Sequence, residues 1–112
     1  MKKTVSIKEN KDFKRLYYRG KSVANDILVV YCRQNPYPYC RLGLTVSSKV
    51  GKAVVRNRVR RLIKESYRLM EDRVRRSMDI VVVARSKAAF SDFRTVSGAL
   101  ERAFIKSGII NK

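Results

Sequence analysis

Histidine is absent from all 112 residues of this chain. The commonest general acid–base group and a principal zinc ligand are therefore missing. Aspartate and glutamate total only 9: Glu9, Asp12, Asp26, Glu65, Glu71, Asp72, Asp79, Asp92 and Glu101. No spacing among them gathers several on one face, and the adjacent Glu71-Asp72 pair diverges on a helix, so a two-metal nuclease centre is not expected. The expected protein contains no catalytic residue and no metal site of its own. Cysteine is reduced to Cys32 and Cys40, which without histidine cannot make a structural zinc set. They flank an expected hairpin loop on one strand parity; a cross-strand disulfide is one reading, and two reduced, buried thiols the favoured one, because no secretion signal is present. Apolar runs of about 18 residues are lacking, and Met1-Lys2-Lys3 leads into Thr4-Val5-Ser6-Ile7-Lys8 rather than an apolar targeting core. The expectation is a cytoplasmic chain that does not enter a membrane.

Lysine and arginine number 27, giving a net charge of +18 and a pI of about 10.6. That excess lies far beyond the needs of solubility and repels itself unless an anion is bound. With 45% hydrophobic residues the chain can still bury one modest core, so a single domain over residues 1–112 is expected rather than disorder. The charge concentrates between Lys49 and Arg68, where Glu65 is the only acid. At 100° per residue, Val55, Val59, Leu62, Ile63, Ser66, Tyr67 and Met70 form one arc, and Asn57, Arg60, Arg61, Lys64 and Arg68 lie opposite. Arg56 and Arg58 sit on the shoulders. Such a helix docks by its apolar stripe and presents guanidinium forks that match phosphate oxygens and base edges. A solvated face would mix both signs, so the partner expected is nucleic acid.

The remaining punctuation predicts one compact domain without linkers or repeats. Asn10 is the expected N-cap of a first helix over Lys11–Arg19, with Gly20 as its stop. Ile27–Arg33 and Cys40–Ser47 read as strands around a Pro-rich turn, with Ser22 and Val23 opening a further short strand. The basic helix spans about Lys52–Arg75, a nearly continuous apolar strand Asp79–Arg85, and a last helix capped by Ser91 ends near Gly108. The order α-β-β-α-β-α predicts an α+β fold, a single-domain α-β sandwich in which helices pack on a small mixed sheet. Alternation leaves Arg41, Gly43, Thr45 and Ser47 on one face of their strand, and Ile27, Val29 and Tyr31 share a face of theirs. If those faces adjoin, they form a polar trough with an aromatic rim, suited to single-stranded RNA. Tyr37 and Tyr39 are expected in a solvated loop.

Arg56-Asn57-Arg58 within Lys49…Gly51-Lys52-Ala53-Val54…Arg60-Arg61-Leu62-Ile63-Lys64 resembles the signature of the bacterial ribonuclease P protein family. Asp12-Phe13…Tyr17…Gly20-Lys21-Ser22, Leu42–Lys49 and Asp79–Arg85 are similar to that family's first helix, pre-motif strand and last strand, so most of the chain is covered. The resemblance implies a left-handed strand–helix–strand crossover, shared with a ribosomal-protein-like fold family, where the general rule predicts a right-handed one. It implies that a partner RNA is the catalyst and holds the Mg²⁺ ions, with no organic cofactor. It implies that Phe13, Tyr17 and Tyr31, beside Thr45 and Ser47, hold the 5′ leader of precursor tRNA, though helical spacing also suits Phe13 and Tyr17 to the core. Lys49, Lys52, Arg56, Asn57, Arg58, Arg60, Arg61, Lys64 and Arg68 would contact the catalytic RNA or the substrate backbone. Asn57 has an amide able to bond a base or to fix an arginine. Phosphate or sulfate is expected to bind the free protein. A ribosomal or ribosome-assembly protein and a DNA-binding architectural protein are the rival readings of the charge, the latter leaving the aromatic trough unexplained.

Overall fold

The computed structural model describes residues 3–110. Five strands, β1 (Thr4–Ser6), β2 (Lys21–Ala24), β3 (Leu28–Gln34), β4 (Cys40–Thr45) and β5 (Met78–Ala84), form one sheet in the order β1-β4-β5-β3-β2. β1, β4 and β5 run parallel, while β5–β3 and β3–β2 are antiparallel. Three helices, α1 (Asn10–Arg19), α2 (Ala53–Met70) and α3 (Phe93–Ser107), pack on it. β4–α2–β5 is the parallel crossover anticipated between Leu42 and Arg85.

Strand alternation sorts the core into two layers. Leu28, Val30, Leu42, Ile80 and Val82 face α2 and α3, meeting Val59, Ile63, Tyr67, Leu100 and Phe104. Val81, Val83 and Tyr31 face α1, with Ile7, Phe13 and Leu16. β5 is thus covered on both faces, which explains its unbroken apolar run.

The same burial overturns the expected hairpin. β5 lies between β3 and β4, so Ile80 stands between Cys32 and Leu42 in register. The apolar strand gains most from the centre of the sheet, and the Pro-rich segment bridges over its end rather than turning between neighbours. Cys32 and Cys40 are consequently two strands apart, both buried and both free thiols. Burial is the largest influence on each and pushes its pKa up.

Several boundaries also move. Glu9, with extended backbone, precedes the first helical residue Asn10, and its carbonyl accepts from the Asp12 and Phe13 amides at 3.1 and 3.4 Å. Asp92, not Ser91, caps α3: its Oδ1 accepts from the Thr95 amide at 2.8 Å, while Ser91 Oγ donates to the Lys87 carbonyl. α2 stops at Met70 and passes through a 3₁₀ turn over Glu71–Arg73. The expected extension to Arg75 is captured by the C-terminal segment instead, the Arg75 amide donating to the Ile109 carbonyl at 2.8 Å. Gly20 and Gly108 end α1 and α3 as expected. At Gly20 the reason is close approach, because a Cβ there would lie 2.5 Å from the Leu16 carbonyl oxygen. Gly108 takes a positive φ of 85°. β1 is too short to show in the sequence pattern, and β2 completes the strand begun at Ser22 and Val23.

Candidate nucleic-acid interface

The two strand faces expected to adjoin do not, because β5 lies between β3 and β4. Thr45 and Tyr31 both point to the α1 side, where Tyr17 bridges them. Its hydroxyl is 2.8 Å from Thr45 Oγ1, and its ring meets that of Tyr31 edge-on, with centroids 5.0 Å apart. Phe13 follows one turn back, 6.5 Å from the Tyr17 ring. Gly43 makes the seat for Phe13, since a Cβ at this position would come within 2.7 Å of the ring. Tyr17 keeps 38% of its surface exposed, whereas Tyr31 is partly buried in the α1 layer. Phe13 and Tyr17 therefore serve both as the packing of α1 and as the wall of an open cavity of about 400 Å³, lined also by Lys14, Leu44, Thr45 and Arg60, while Tyr31 packs behind Tyr17 and is not in its lining. Ser47 does not line it. β4 ends at Thr45, and Ser47 lies exposed in the following turn, where its carbonyl accepts from the Val50 amide.

Arg60 joins this cavity to the basic helix. Its guanidinium donates to Asn57 Oδ1 at 3.0 Å and to the Val46 carbonyl at 3.5 Å. Asn57 thus fixes an arginine. Beyond it, Asn57, Arg60, Arg61, Lys64 and Arg68 line a shallow groove on the outer face of α2, with Glu65 paired to Arg68. Lys49 and Lys52 are exposed at the entry to the helix, and no side chain caps its first amides. Those amides and lysines form a site of positive potential.

The two shoulder arginines differ from their neighbours. Arg58 is committed to the protein, donating to the Ser91 carbonyl at 2.7 Å and to that of Ala89 at 3.4 Å. Arg56 buries its Nε without a hydrogen-bond partner among the described residues.

A second network was not legible in the sequence. Arg41 reaches across to Asp79, Nε to Oδ1 at 2.8 Å and Nη2 to Oδ2 at 2.6 Å, and to Asp12 of α1 at 3.4 Å. Burial raises the Asp79 pKa, but the hydrogen bonds from Arg41 and Asn35 more than offset it and hold the carboxyl below its ordinary value. Arg41 is correspondingly raised by Asp79. The triad ties α1 to the sheet on the flank opposite Thr45. Only the register of β4 against β5, which sets Arg41 beside Asp79, reveals it.

The turn after β3 is also more ordered than a solvated loop. Buried Asn35 accepts from the Tyr37 amide at 2.9 Å and donates to Asp79 at 2.7 Å. Tyr37 and Tyr39 stack with centroids 5.4 Å apart, and Arg41 lies 5.0 Å from the Tyr37 ring centre.

A ribonuclease P family model matches residues 1–108. The chain belongs to the ribonuclease P protein family. A ribonuclease P protein component of Clostridium botulinum (strain 657 / Type Ba4) is 48% identical over 106 residues, covering 94% of this chain and 96% of that protein. One of Alkaliphilus oremlandii is 40% identical over 111 residues, 99% and 97% of the two chains. The Staphylococcus aureus RNase P protein structure superposes with a TM-score of 0.88 at 36% identity, covering 95% of this chain and 97% of that one. That of Thermotoga maritima gives 0.79 at 35%, covering 87% and 92%. Ribonuclease P membership sets aside the ribosomal and DNA-architectural readings, gives the chain a role in the ribonuclease P endonuclease and implies an RNA partner. Among the described residues no three cysteine or carboxylate side chains gather into a metal-holding set, and no helix is long and apolar enough to cross a membrane.

Proposed function

We propose that this protein binds the catalytic RNA of ribonuclease P and the 5′ leader of precursor tRNA, assisting the Mg²⁺-dependent hydrolysis that frees the mature 5′ end. The observation that carries this reading is the continuity between the aromatic cavity and the arginine face of α2 through Arg60. Bases of a single strand stack on Phe13, Tyr17 and Tyr31, with Thr45 offering a hydroxyl to a base edge. Phosphates follow Arg60 onto Arg61, Lys64 and Arg68, while Lys49, Lys52 and the uncapped amides of α2 hold a further phosphate. Asn57 preorganises Arg60, so less side-chain entropy is lost on binding. Arg56, half-buried on the shoulder of α2, adds its charge to this face.

Chemistry belongs to the RNA in this reading. Mg²⁺ is held mainly by RNA phosphates and supplies the activated water, and the protein lowers the repulsion between crowded strands so that those ions bind more readily. No organic cofactor takes part.

The test is affinity of reconstituted enzyme for tRNA with and without a leader. Tyr17→Ala and Tyr31→Ala should weaken precursor binding by roughly 1–3 kcal/mol per lost stack and leave mature tRNA unaffected. Equal losses on both ligands, in variants shown by circular dichroism to be folded, would return the tyrosines to a purely packing role.

A further inference from the structure

The flank of α1 that faces away from Thr45 carries its own cluster of cations. Arg15 and Arg19, one turn apart on α1, meet Arg33 at the end of β3 around an open pocket of about 340 Å³. Asp79 is the only acid in its lining, and that carboxylate is already occupied by Arg41 and Asn35. The guanidinium groups of Arg15, Arg19 and Arg33 have no hydrogen bond or salt bridge among the described residues, although Arg15 is near enough to help lower the Asp79 pKa; with Arg41, four positive charges face one carboxylate. Tyr37 stands at its edge, 39% exposed, with the Arg41 guanidinium 5.0 Å from its ring centre; Tyr39 stacks on Tyr37 from outside the pocket lining and keeps 38% of its own surface exposed. Their turn is pinned by buried Asn35 and by Ser77, whose hydroxyl donates to the Tyr37 carbonyl. Exposed aromatic rings held in place beside unpaired arginines combine the two elements that single-stranded RNA requires, a π-face for a base and charge for the backbone. An acidic protein surface would supply the charge partner but would leave the held rings without a planar group to stack.

The geometry points to a second RNA-backbone site on Arg15, Arg19 and Arg33, with Tyr37 and Tyr39 as its stacking platform. It rests on the reading above that RNA occupies the Thr45 flank. α1 then separates two tracks for one polyanion, and the strand engaged is either the upstream part of a long leader or a segment of the catalytic RNA. Both present the same phosphodiester chemistry, and affinity measurements tell them apart.

R15Q/R19Q, R33Q and Y37A variants would be titrated against three probes: catalytic RNA alone, reconstituted enzyme with a precursor tRNA whose leader only fills the Thr45 cavity, and the same with a longer leader. A loss confined to the longer leader, with the salt slope of log affinity reduced by about 0.7 per arginine, assigns the site to the leader. A similar loss already seen with catalytic RNA alone assigns it to that RNA. Unchanged affinity and slope for all three probes would overturn the site. If the double variant fails to fold, R33Q at its exposed strand end carries the same comparison. The two surfaces fail separately: Tyr17→Ala acts on both leader lengths if the cavity reading holds, and on neither if it does not, whatever the arginine variants do.

Discussion

At the scale of single residues, Gly43 makes room for the Phe13 ring and Asp79 anchors a charged network. An alanine methyl at Gly43 would need the space of the Phe13 ring, 2.7 Å away. The ring is the movable partner, so Gly43→Ala should displace Phe13, cost about 1–3 kcal/mol as overpacking does, and weaken precursor tRNA binding more than that of mature tRNA. Melting curves combined with the two affinities check this. Asp79 holds Arg41 with two hydrogen bonds and through it reaches α1. Its folded pKa lies below the ordinary 3.8, so its stabilisation is fully present above about pH 4 and is lost as pH falls through the folded value. Denaturant titrations below pH 4 should therefore show a steep fall in stability that is shallower in Asp79→Asn. That variant should also lose about 3 kcal/mol at neutral pH, as breaking a buried pair does.

At the scale of elements, the helical period sets Arg58 on a shoulder of α2 and Arg61 opposite its apolar stripe, but not what either side chain touches. Arg58 fastens α2 to the turn before α3 through the Ser91 and Ala89 carbonyls, while Arg61 is exposed in the outer groove. Arg58→Ala should lower stability by about 1–2 kcal/mol, the worth of a charge-assisted bond partly shared with water. Arg61→Ala should leave stability unchanged and reduce the salt slope of RNA binding by about 0.7–0.9. Thermal melts and salt-dependent binding on the same two proteins separate the roles; identical slopes would place Arg61 outside the RNA contact. α1 is likewise held on both flanks, by Tyr17 to Thr45 and by Asp12 to Arg41.

At the scale of the whole molecule, a net charge of +18 on a fold with a Cα radius of gyration of 12.9 Å opposes folding by self-repulsion. Sulfate or phosphate that binds the native clusters should stabilise by about 2.7 kcal/mol at a hundredfold excess over its dissociation constant, each kcal/mol raising the melting midpoint by roughly 4 °C. Melts in chloride and sulfate at matched ionic strength test for such sites. Coincident midpoints would mean that screening alone relieves the repulsion.

Local rules were sufficient for much of this protein. The 3.6-residue period separated the apolar stripe of α2 from Asn57, Arg60, Arg61, Lys64 and Arg68, and strand alternation set which face of its own strand Thr45 and Tyr31 each occupy, because both depend only on bond geometry within one element. Glycine stops ended α1 and α3 for equally local reasons. What lay beyond the sequence needed partners distant in the chain. β5 entered between β3 and β4 because burial on both faces favours its apolar run, and that insertion separated Cys32 from Cys40 and set Arg33, Asp79 and Arg41 abreast. Arg58 and Arg60 differ in surroundings because different carbonyls, those of Ser91 and Val46, lie within reach of each. Element type and facing are properties of neighbouring residues, but which charges are paired inside the protein and which stay exposed was decided by strand order and helix docking.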